Sequence, residues 1–181
     1  MINEVQAAKL DRRFTLLDLT GDNYVQREDY EELARRLAQG ASLPLDHPQR
    51  QDIVDSLLGL WEAIAAKVDG DGDGRISRDE WHASVAKSII ERDGFDRIIA
   101  PVAEAVLAGY DADSDGELDQ DEFESFLTAM GVDAGDASAA FDQIDTDGTG
   151  ALTLDEITEA LRDFYTSPDP DALGNALYGK I

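Results

Sequence analysis

The chain of 181 residues carries 40 acidic side chains against 15 basic ones, giving a formal net charge of -25 at pH 7, and its 43% hydrophobic content suits a substantial core rather than a disordered acidic tail. Such a charge repels nucleic-acid phosphates and anionic lipid headgroups, so we expect neither nucleic acid nor a membrane as a partner and favour a cation. The absence of cysteine excludes disulfides, thiolate metal sites and cysteine nucleophiles.

The first residues, MINEVQAAKLDRRF, lack the continuous apolar core of a secretory signal. No later stretch is long and apolar enough to span a bilayer. We therefore expect a soluble cytoplasmic protein, and we expect it to be a monomer.

A twelve-residue segment then repeats four times along the chain. DLTGDNYVQRED begins at Asp18, DGDGDGRISRDE at Asp69, DADSDGELDQDE at Asp111 and DTDGTGALTLDE at Asp145. The last three follow the D-x-[DN]-x-[DN]-G-x5-E pattern of an EF-hand calcium loop, with Thr149 as the exception at the fifth position of the fourth loop. Calcium takes about six to eight hard oxygen ligands, which this pattern can supply.

The loop positions identify the candidate metal ligands. Positions one, three and five offer side-chain oxygens, position seven a backbone carbonyl, and position twelve both oxygens of a carboxylate. The candidates are Asp18, Thr20, Asp22, Tyr24 and Asp29; Asp69, Asp71, Asp73, Arg75 and Glu80; Asp111, Asp113, Asp115, Glu117 and Glu122; and Asp145, Asp147, Thr149, Ala151 and Glu156. Position nine, which coordinates directly or through water, carries Gln26, Ser77, Asp119 and Thr153. We expect three or four bound calcium ions.

The first loop departs from the pattern at positions six and twelve. Position six turns the chain sharply, and Asn23 tolerates the left-handed conformation that Gly74, Gly116 and Gly150 adopt at little cost. Asp29 is one methylene shorter than glutamate, so it closes the ligand shell with one oxygen or a bridging water, an arrangement that suits magnesium better than calcium. We predict a working first loop with weaker or mixed calcium and magnesium binding; the alternative is a structural remnant.

Apolar residues at fixed positions predict how the loops are assembled. Position eight is always apolar, so we expect paired loops to form a short antiparallel β-bridge, the first with the second and the third with the fourth. The residues at position eight are Val25, Ile76, Leu118 and Leu152. Apolar pairs precede each loop at helical spacing, and one apolar residue follows it. They are Phe14 with Leu17, Ala65 with Val68, Leu107 with Tyr110, Phe141 with Ile144, and then Tyr30, Trp81, Phe123 and Ile157.

The predicted fold is all-α, with four EF-hand helix-loop-helix units in two pairs that form one compact globule. We assign residues 1–92 to the N-terminal pair of hands, 93–166 to the C-terminal pair, and 167–181 to a tail. Gly94 and Pro101 lie between the pairs, so we do not expect a long continuous central helix.

The tail, TSPDPDALGNALYGKI, begins with prolines that stop the last helix. It continues with the apolar residues Leu173, Leu177 and Tyr178, so it can fold back over an apolar groove. The alternative is a frayed terminus.

The chain resembles the sarcoplasmic calcium-binding proteins, and their bacterial members in particular, over nearly its whole length. The resemblance is carried by RRFTLLDLTGDNYVQREDY, by the long spacer between the first two loops, and by AFDQIDTDGTGALTLDEI followed by LRDFY. It implies a compact four-hand globule that binds calcium as a buffer and has no enzymatic role. It also implies that a first loop ending in aspartate still binds calcium.

The third loop is the most acidic, because five carboxylates converge on one ion: Asp111, Asp113, Asp115, Asp119 and Glu122. These charges repel one another without a metal ion, so we expect the metal-free protein to be looser.

Three functions remain open: a calcium buffer or transporter, a sensor that regulates a protein partner, and a calcium-triggered photoprotein. Sensors expose grooves rich in methionine, whereas this chain has only Met1 and Met130, so no protein target is indicated. Photoproteins are similar in arrangement but use buried histidines and a C-terminal proline, while this chain has two histidines and ends in Ile181.

Other patterns have structural explanations. Trp61 and Trp81 lie on apolar helical faces and are expected in the core. His47 and His82 lack the spacing of a zinc site, and the well-placed carboxylate pairs belong to loops, so we expect no catalysis.

Overall fold

The computed structural model describes residues 2–41, 43–44, 46–85 and 94–179. Its α-helices are α1 (Glu4–Leu17), α2 (Arg27–Gly40), α3 (Pro48–Val68), α4 (Arg78–Val85), α5 (Ala100–Leu107), α6 (Gln120–Ala129), α7 (Ala134–Ile144) and α8 (Leu154–Thr166). Its strands are β1 (Tyr24–Gln26), β2 (Arg75–Ser77), β3 (Glu117–Asp119) and β4 (Ala151–Thr153). Within these residues no helix is long and apolar enough to cross a membrane.

Each strand lies inside one acidic loop, and the strands pair antiparallel as predicted. β1 pairs with β2, placing Val25 opposite Ile76, and β3 pairs with β4, placing Leu118 opposite Leu152. All four side chains are fully buried. The predicted β-bridges are therefore confirmed, and they join the hand α1–α2 to α3–α4 and the hand α5–α6 to α7–α8.

The helices flanking the loops bury the faces that their sequence periodicity predicts. Of the eight predicted residues before the loops, seven are buried and Ala65 is half-buried against the core. Tyr30, Trp81, Phe123 and Ile157, which follow the loops, are all buried. Each hand thus turns one apolar side inward and its acidic loop outward.

Direct hydrogen bonds join the two pairs of hands. The Tyr110 hydroxyl on the third hand donates to the carbonyl of Leu37 at 2.9 Å, and Ser125 Oγ donates to the carbonyl of Gly40 at 3.2 Å. A Cβ at Gly40 would overlap the Tyr110 hydroxyl and crowd Ala129, so a larger residue there would displace the Tyr110 side chain from its place against α2. The predicted single globule is confirmed.

The segment before the third loop is helical from Gly94 onward. A π-helix covers Phe95–Ile99 and leads directly into α5, with Pro101 in the first turn of that helix. Proline lacks an N–H and is tolerated in a first turn, and the wider π-turn ahead of it changes the hydrogen-bond register. Residues 86–93 lie outside the described part of the chain, so the absence of a continuous central helix and the proposed boundary at residues 92 and 93 stay predictions.

The tail lies against the fourth hand. Residues Leu173–Tyr178 form a 3-10 helix packed on α7 and α8. Tyr178 is buried and packs edge-on against Phe164, with 4.6 Å between ring centroids. Arg12 Nε donates to the carbonyl of Tyr178 at 2.6 Å, so α1 also holds the tail.

Candidate calcium-binding loops

The carboxylate at position one of each loop accepts hydrogen bonds from backbone N–H groups of the same loop. In the first loop, Asp18 Oδ1 accepts from the backbone N–H of Gly21 at 2.7 Å, and Asp18 Oδ2 accepts from that of Asn23 at 2.9 Å. In the other loops the N–H of position six likewise donates to Oδ2 of position one: Gly74 to Asp69 at 2.9 Å, Gly116 to Asp111 at 3.0 Å and Gly150 to Asp145 at 3.1 Å. The first loop therefore folds like the three regular ones.

Two residues in each loop adopt left-handed backbone conformations. The φ angles at position six are 66° at Asn23, 84° at Gly74, 89° at Gly116 and 82° at Gly150. This confirms that Asn23 can replace glycine there. Position four is also left-handed, at Gly21, Gly72, Ser114 and Gly148. Our interpretation of the sequence missed this second turn, although three glycines at position four were its signal.

The second and third loops each bring three carboxylates together. One oxygen from each of Asp69, Asp71 and Asp73 lies within 4.8 Å of the others, and the same holds for Asp111, Asp113 and Asp115. Carboxylates at this separation repel one another, and a divalent cation offsets the repulsion. A cluster of hard oxygen donors without nitrogen or sulfur fits calcium.

The fourth loop has a weaker donor set. Thr149 replaces a carboxylate at position five, and its hydroxyl donates to the carbonyl of Ala151 at 3.0 Å. Both groups are predicted ligands of the same ion, so ion binding requires the hydroxyl hydrogen to turn away from that carbonyl. The first loop also has a threonine among its first three ligands, Thr20. The predicted ligand sets of these two loops therefore contain one carboxylate fewer than those of the second and third.

At position twelve, glutamate links the two ends of its loop. Glu80 Oε1 accepts from the N–H of Gly70 at 2.9 Å, and Oε2 accepts from the N–H and hydroxyl of Ser77 at 2.9 and 2.7 Å. These bonds, with that from the Ser77 hydroxyl the largest, hold the pKa of Glu80 below its usual range. Glu122 Oε2 similarly accepts from the N–H of Asp119 at 3.0 Å.

Asp29 makes the same connections from a shorter side chain. Its Oδ1 accepts from the N–H groups of Leu19 and Thr20 at 2.9 and 3.0 Å, and its Oδ2 accepts from that of Gln26 at 2.9 Å. The residue is fully buried, and burial raises its pKa despite those hydrogen bonds. Asp29 thus links the two ends of the first loop.

An arginine lies on the second loop. Arg75 Nη2 forms an ion pair with Asp73 Oδ2 at 3.0 Å, and its guanidinium lies 4.4 Å from the centre of the Tyr24 ring. From the sequence, Arg75 was predicted to contribute only its carbonyl. Its carbonyl stays a predicted ligand. In addition, its side chain neutralises part of the charge that would attract a cation, and the Tyr24 ring of the first loop holds it in position.

Replacing Arg75 should therefore strengthen calcium binding. In Arg75→Met we expect the affinity of the second loop to rise a few-fold, because Asp73 loses its competing cation. Solvent screening at this exposed site keeps the gain small. Calorimetric calcium titration measures this. Arg36→Met, which removes the same charge from an exposed pair with Glu32, is the control and should leave all affinities unchanged.

The described contacts of the tryptophans and histidines are with residues outside the four twelve-residue loops. Trp61 and Trp81 are buried in the core, as predicted, where Trp61 packs on Tyr30. His82 Nε2 lies 3.0 Å from Asp11 Oδ1, and His47 caps the start of α3.

Two family models match the loops. One described as "EF-hand domain" matches residues 136–167, and one described as "EF hand" matches residues 66–86 and 105–127. These ranges contain the fourth, second and third loops. The fold and the loops together define an EF-hand protein.

Full-length relatives identify the family. Calerythrin from Saccharopolyspora erythraea is 30% identical over 168 residues, covering 91% of this chain and 94% of calerythrin. The luciferin-binding protein of Renilla reniformis is 30% identical over 180 residues, covering 96% and 92%. A calcium-binding protein from Streptomyces coelicolor has a solved structure with a TM-score of 0.78 and 28% identity, covering 91% of this chain and 99% of that one.

The structure of a sarcoplasmic calcium-binding protein from amphioxus shares the fold, with a TM-score of 0.76 at 23% identity and full coverage of both chains. The chain belongs to the family of EF-hand calcium-binding proteins that includes calerythrin and the sarcoplasmic calcium-binding proteins.

Proposed function

We propose that this protein is a monomeric intracellular calcium buffer or transporter that holds three or four ions. The observation that carries the proposal is that large apolar side chains are buried. Among the described residues, Leu173 is the only large hydrophobic side chain that is exposed. A sensor needs an apolar groove that accepts a target helix. A core of aromatic and branched residues, with the tail packed over the fourth hand, supports a buffer instead.

In this proposal the first loop is a functional site of weaker or mixed calcium and magnesium binding. Its backbone has the same left-handed turn as the regular loops, and Asp18 organises it in the same way. Asp29 is one methylene shorter than Glu80 and accepts from N–H groups at both ends of its loop, so we infer that it reaches an ion with one oxygen or through a bridging water. A coordination shell with fewer protein ligands and shorter metal–oxygen distances favours magnesium over calcium.

Calorimetric titration of the metal-free protein tests both proposals. With millimolar magnesium present, we expect calcium affinity to fall at one site or more, because a buffer of this type exchanges the two ions. Asp18→Ala should remove one equivalent of bound ion. Asp52→Ala, which removes an exposed carboxylate outside the loops, is the control.

An unchanged stoichiometry in Asp18→Ala would mean that the first loop is a scaffold only. Calcium binding that is insensitive to magnesium at every site would count against the buffer.

The second candidate function is a calcium sensor. The Streptomyces coelicolor protein is described in connection with calcium-mediated regulation, and it is 28% identical to this chain. The tail covers apolar residues of the fourth hand, so its release would expose a surface for a partner. An apolar dye distinguishes the two: fluorescence that falls when calcium is added supports the buffer, and fluorescence that rises sharply supports the sensor.

A further inference from the structure

Two carboxamide side chains join the start of α1 to the end of α8. Asn3 Oδ1 accepts from the N–H of Gln6 at 2.8 Å, and Gln6 Oε1 accepts from the N–H of Asn3 at 3.1 Å, so both oxygens cap the N-terminus of α1. The amide nitrogens bond to the other helix. Asn3 Nδ2 donates to the carbonyl of Pro168 at 2.9 Å, and Gln6 Nε2 donates to that of Thr166 at 3.1 Å. Each carboxamide thus contacts two helix ends.

A buried lysine on the same face of α1 adds a charge to this contact. Lys9 is 1% exposed, and its Nζ donates to the carbonyls of Ser167 and Asp163 at 3.0 and 3.4 Å. The last carbonyls of a helix have no partner within it, and a nearby cation interacts favourably with the helix dipole. The last turn of α8 has no basic residue of its own. Asn3, Gln6 and Lys9 therefore form the C-terminal cap of α8, and we call them the cap residues.

Each of these two helices carries a predicted metal ligand at its other end. Asp18, at position one of the first loop, follows α1 directly, and its N–H donates to the carbonyl of Phe14 at 2.9 Å. Glu156, at position twelve of the fourth loop, lies in the first turn of α8. A helix is a rigid element, so an ion that fixes one end of α1 also restricts the cap residues at the other end. The cap residues thus connect the first loop to the fourth, whereas the β-bridges join each of them to a different loop.

We propose that the cap residues are positioning residues that couple ion binding in the first loop to ion binding in the fourth. An ion in either loop orders its helix, and that helix holds the other one through the cap, so the second ion has less left to order. Such coupling is reciprocal and typically changes affinity about 5- to 150-fold. It supports the two loops whose predicted ligand sets contain fewer carboxylates. The proposal rests on the proposed function of the first loop as an ion site.

Calcium titration of the metal-free protein followed by NMR tests the coupling. The position-six N–H donates to position one in each loop, so the amide signals of Asn23 and Gly150 report the first and fourth loops separately. Asp22→Asn removes one ligand charge from the first loop and keeps an oxygen for the N–H of Tyr24. We expect it to raise the calcium concentration for half-saturation at Gly150 about fivefold. Asp52→Asn, which removes the same charge from an exposed position on α3, should leave Gly150 unchanged.

The same comparison in the background of Gln6→Glu tests the cap. This variant keeps the oxygen that caps α1 and replaces the donor to Thr166 with a second oxygen. The effect of Asp22→Asn on Gly150 should then disappear, as a double-mutant cycle measures. Gln51→Glu adds the same charge at an exposed position on α3, so it should preserve the effect.

Asn3→Asp tests the cap even if Gln6→Glu does not fold. Aspartate is as good an N-cap as asparagine, so α1 keeps its start and only the hydrogen bond to Pro168 is lost. We expect a smaller effect of Asp22→Asn on Gly150 in this background than in the wild type.

Two results would overturn the coupling while the first loop still binds an ion. In one, Asp22→Asn weakens the response of Asn23 and leaves that of Gly150 unchanged. In the other, the coupling is undiminished in both cap variants, which would assign it to another route. An Asn23 signal that responds to neither calcium nor magnesium in the wild type would instead overturn the first-loop site, and the coupling with it.

Discussion

Chelation of calcium should lower the melting temperature of this protein by about 15 to 30 °C. A ligand at about 1,000 times its dissociation constant stabilises the folded state by about 4 kcal/mol per site, and the two loops with three clustered carboxylates supply at least two such sites. For a domain of this size each kcal/mol shifts the melting temperature by about 2–4 °C. Circular dichroism melts in excess calcium and in excess chelator measure the difference.

A single substitution in the third loop should change stability in opposite directions in these two conditions. Asp113→Asn removes one of three mutually repelling carboxylates but keeps the oxygen that accepts from the N–H of Asp115 at 3.3 Å. Without calcium we expect its melting temperature to exceed that of the wild type by a few degrees. With calcium we expect it to be lower, because a ligand charge is lost.

Asp52→Asn is the matched control, since it removes the same charge from an exposed position on α3. It should change both melting temperatures equally. If Asp113→Asn destabilised the metal-free protein as well, repulsion within the loop would not be the reason why calcium stabilises the fold.

The second large effect is expected from Gly174→Ala in the tail. A Cβ at residue 174 would overlap the carbonyl oxygen of Ala160 and the backbone N of Phe164 in α8, and backbone atoms cannot rotate away. The tail must shift, and the burial of Leu177 and Tyr178 is then lost. We expect a loss of about 3–5 kcal/mol in the free energy of unfolding, measured by urea denaturation.

Leu173→Ala is the control for this experiment, because Leu173 lies in the same 3-10 helix but is exposed, and its removal should change the free energy of unfolding by less than about 0.5 kcal/mol. In excess calcium, Gly174→Ala should also bind more of an apolar dye than the wild type does. Unchanged stability and dye binding would show that the tail does not cover the groove that the contacts with Phe164 indicate.

The sequence predicted most of the local structure of the loops. The left-handed turns at Asn23 and Gly116 depend on residues within a few positions of one another. The pairing of Val25 with Ile76 is long-range, but an apolar residue that recurs at position eight of every loop predicted it. Such short-range patterns have few alternative solutions, because backbone sterics and the period of the helix leave little choice. The residues before α5, Phe95–Ile99, show no comparable sequence pattern, and the π-helix that they form was not predicted.

The sequence by itself thus determined the four loops, their pairing and the inward faces of the helices. Only the tertiary structure decided which charges are buried and what they contact. Arg13 and Arg75 are ordinary arginines in the sequence, yet one lies in the core beside Tyr178 and the other is paired with a predicted calcium ligand. The physical reason is that the environment of a charge depends on which distant helix or loop packs against it, and no local repeat contains that information.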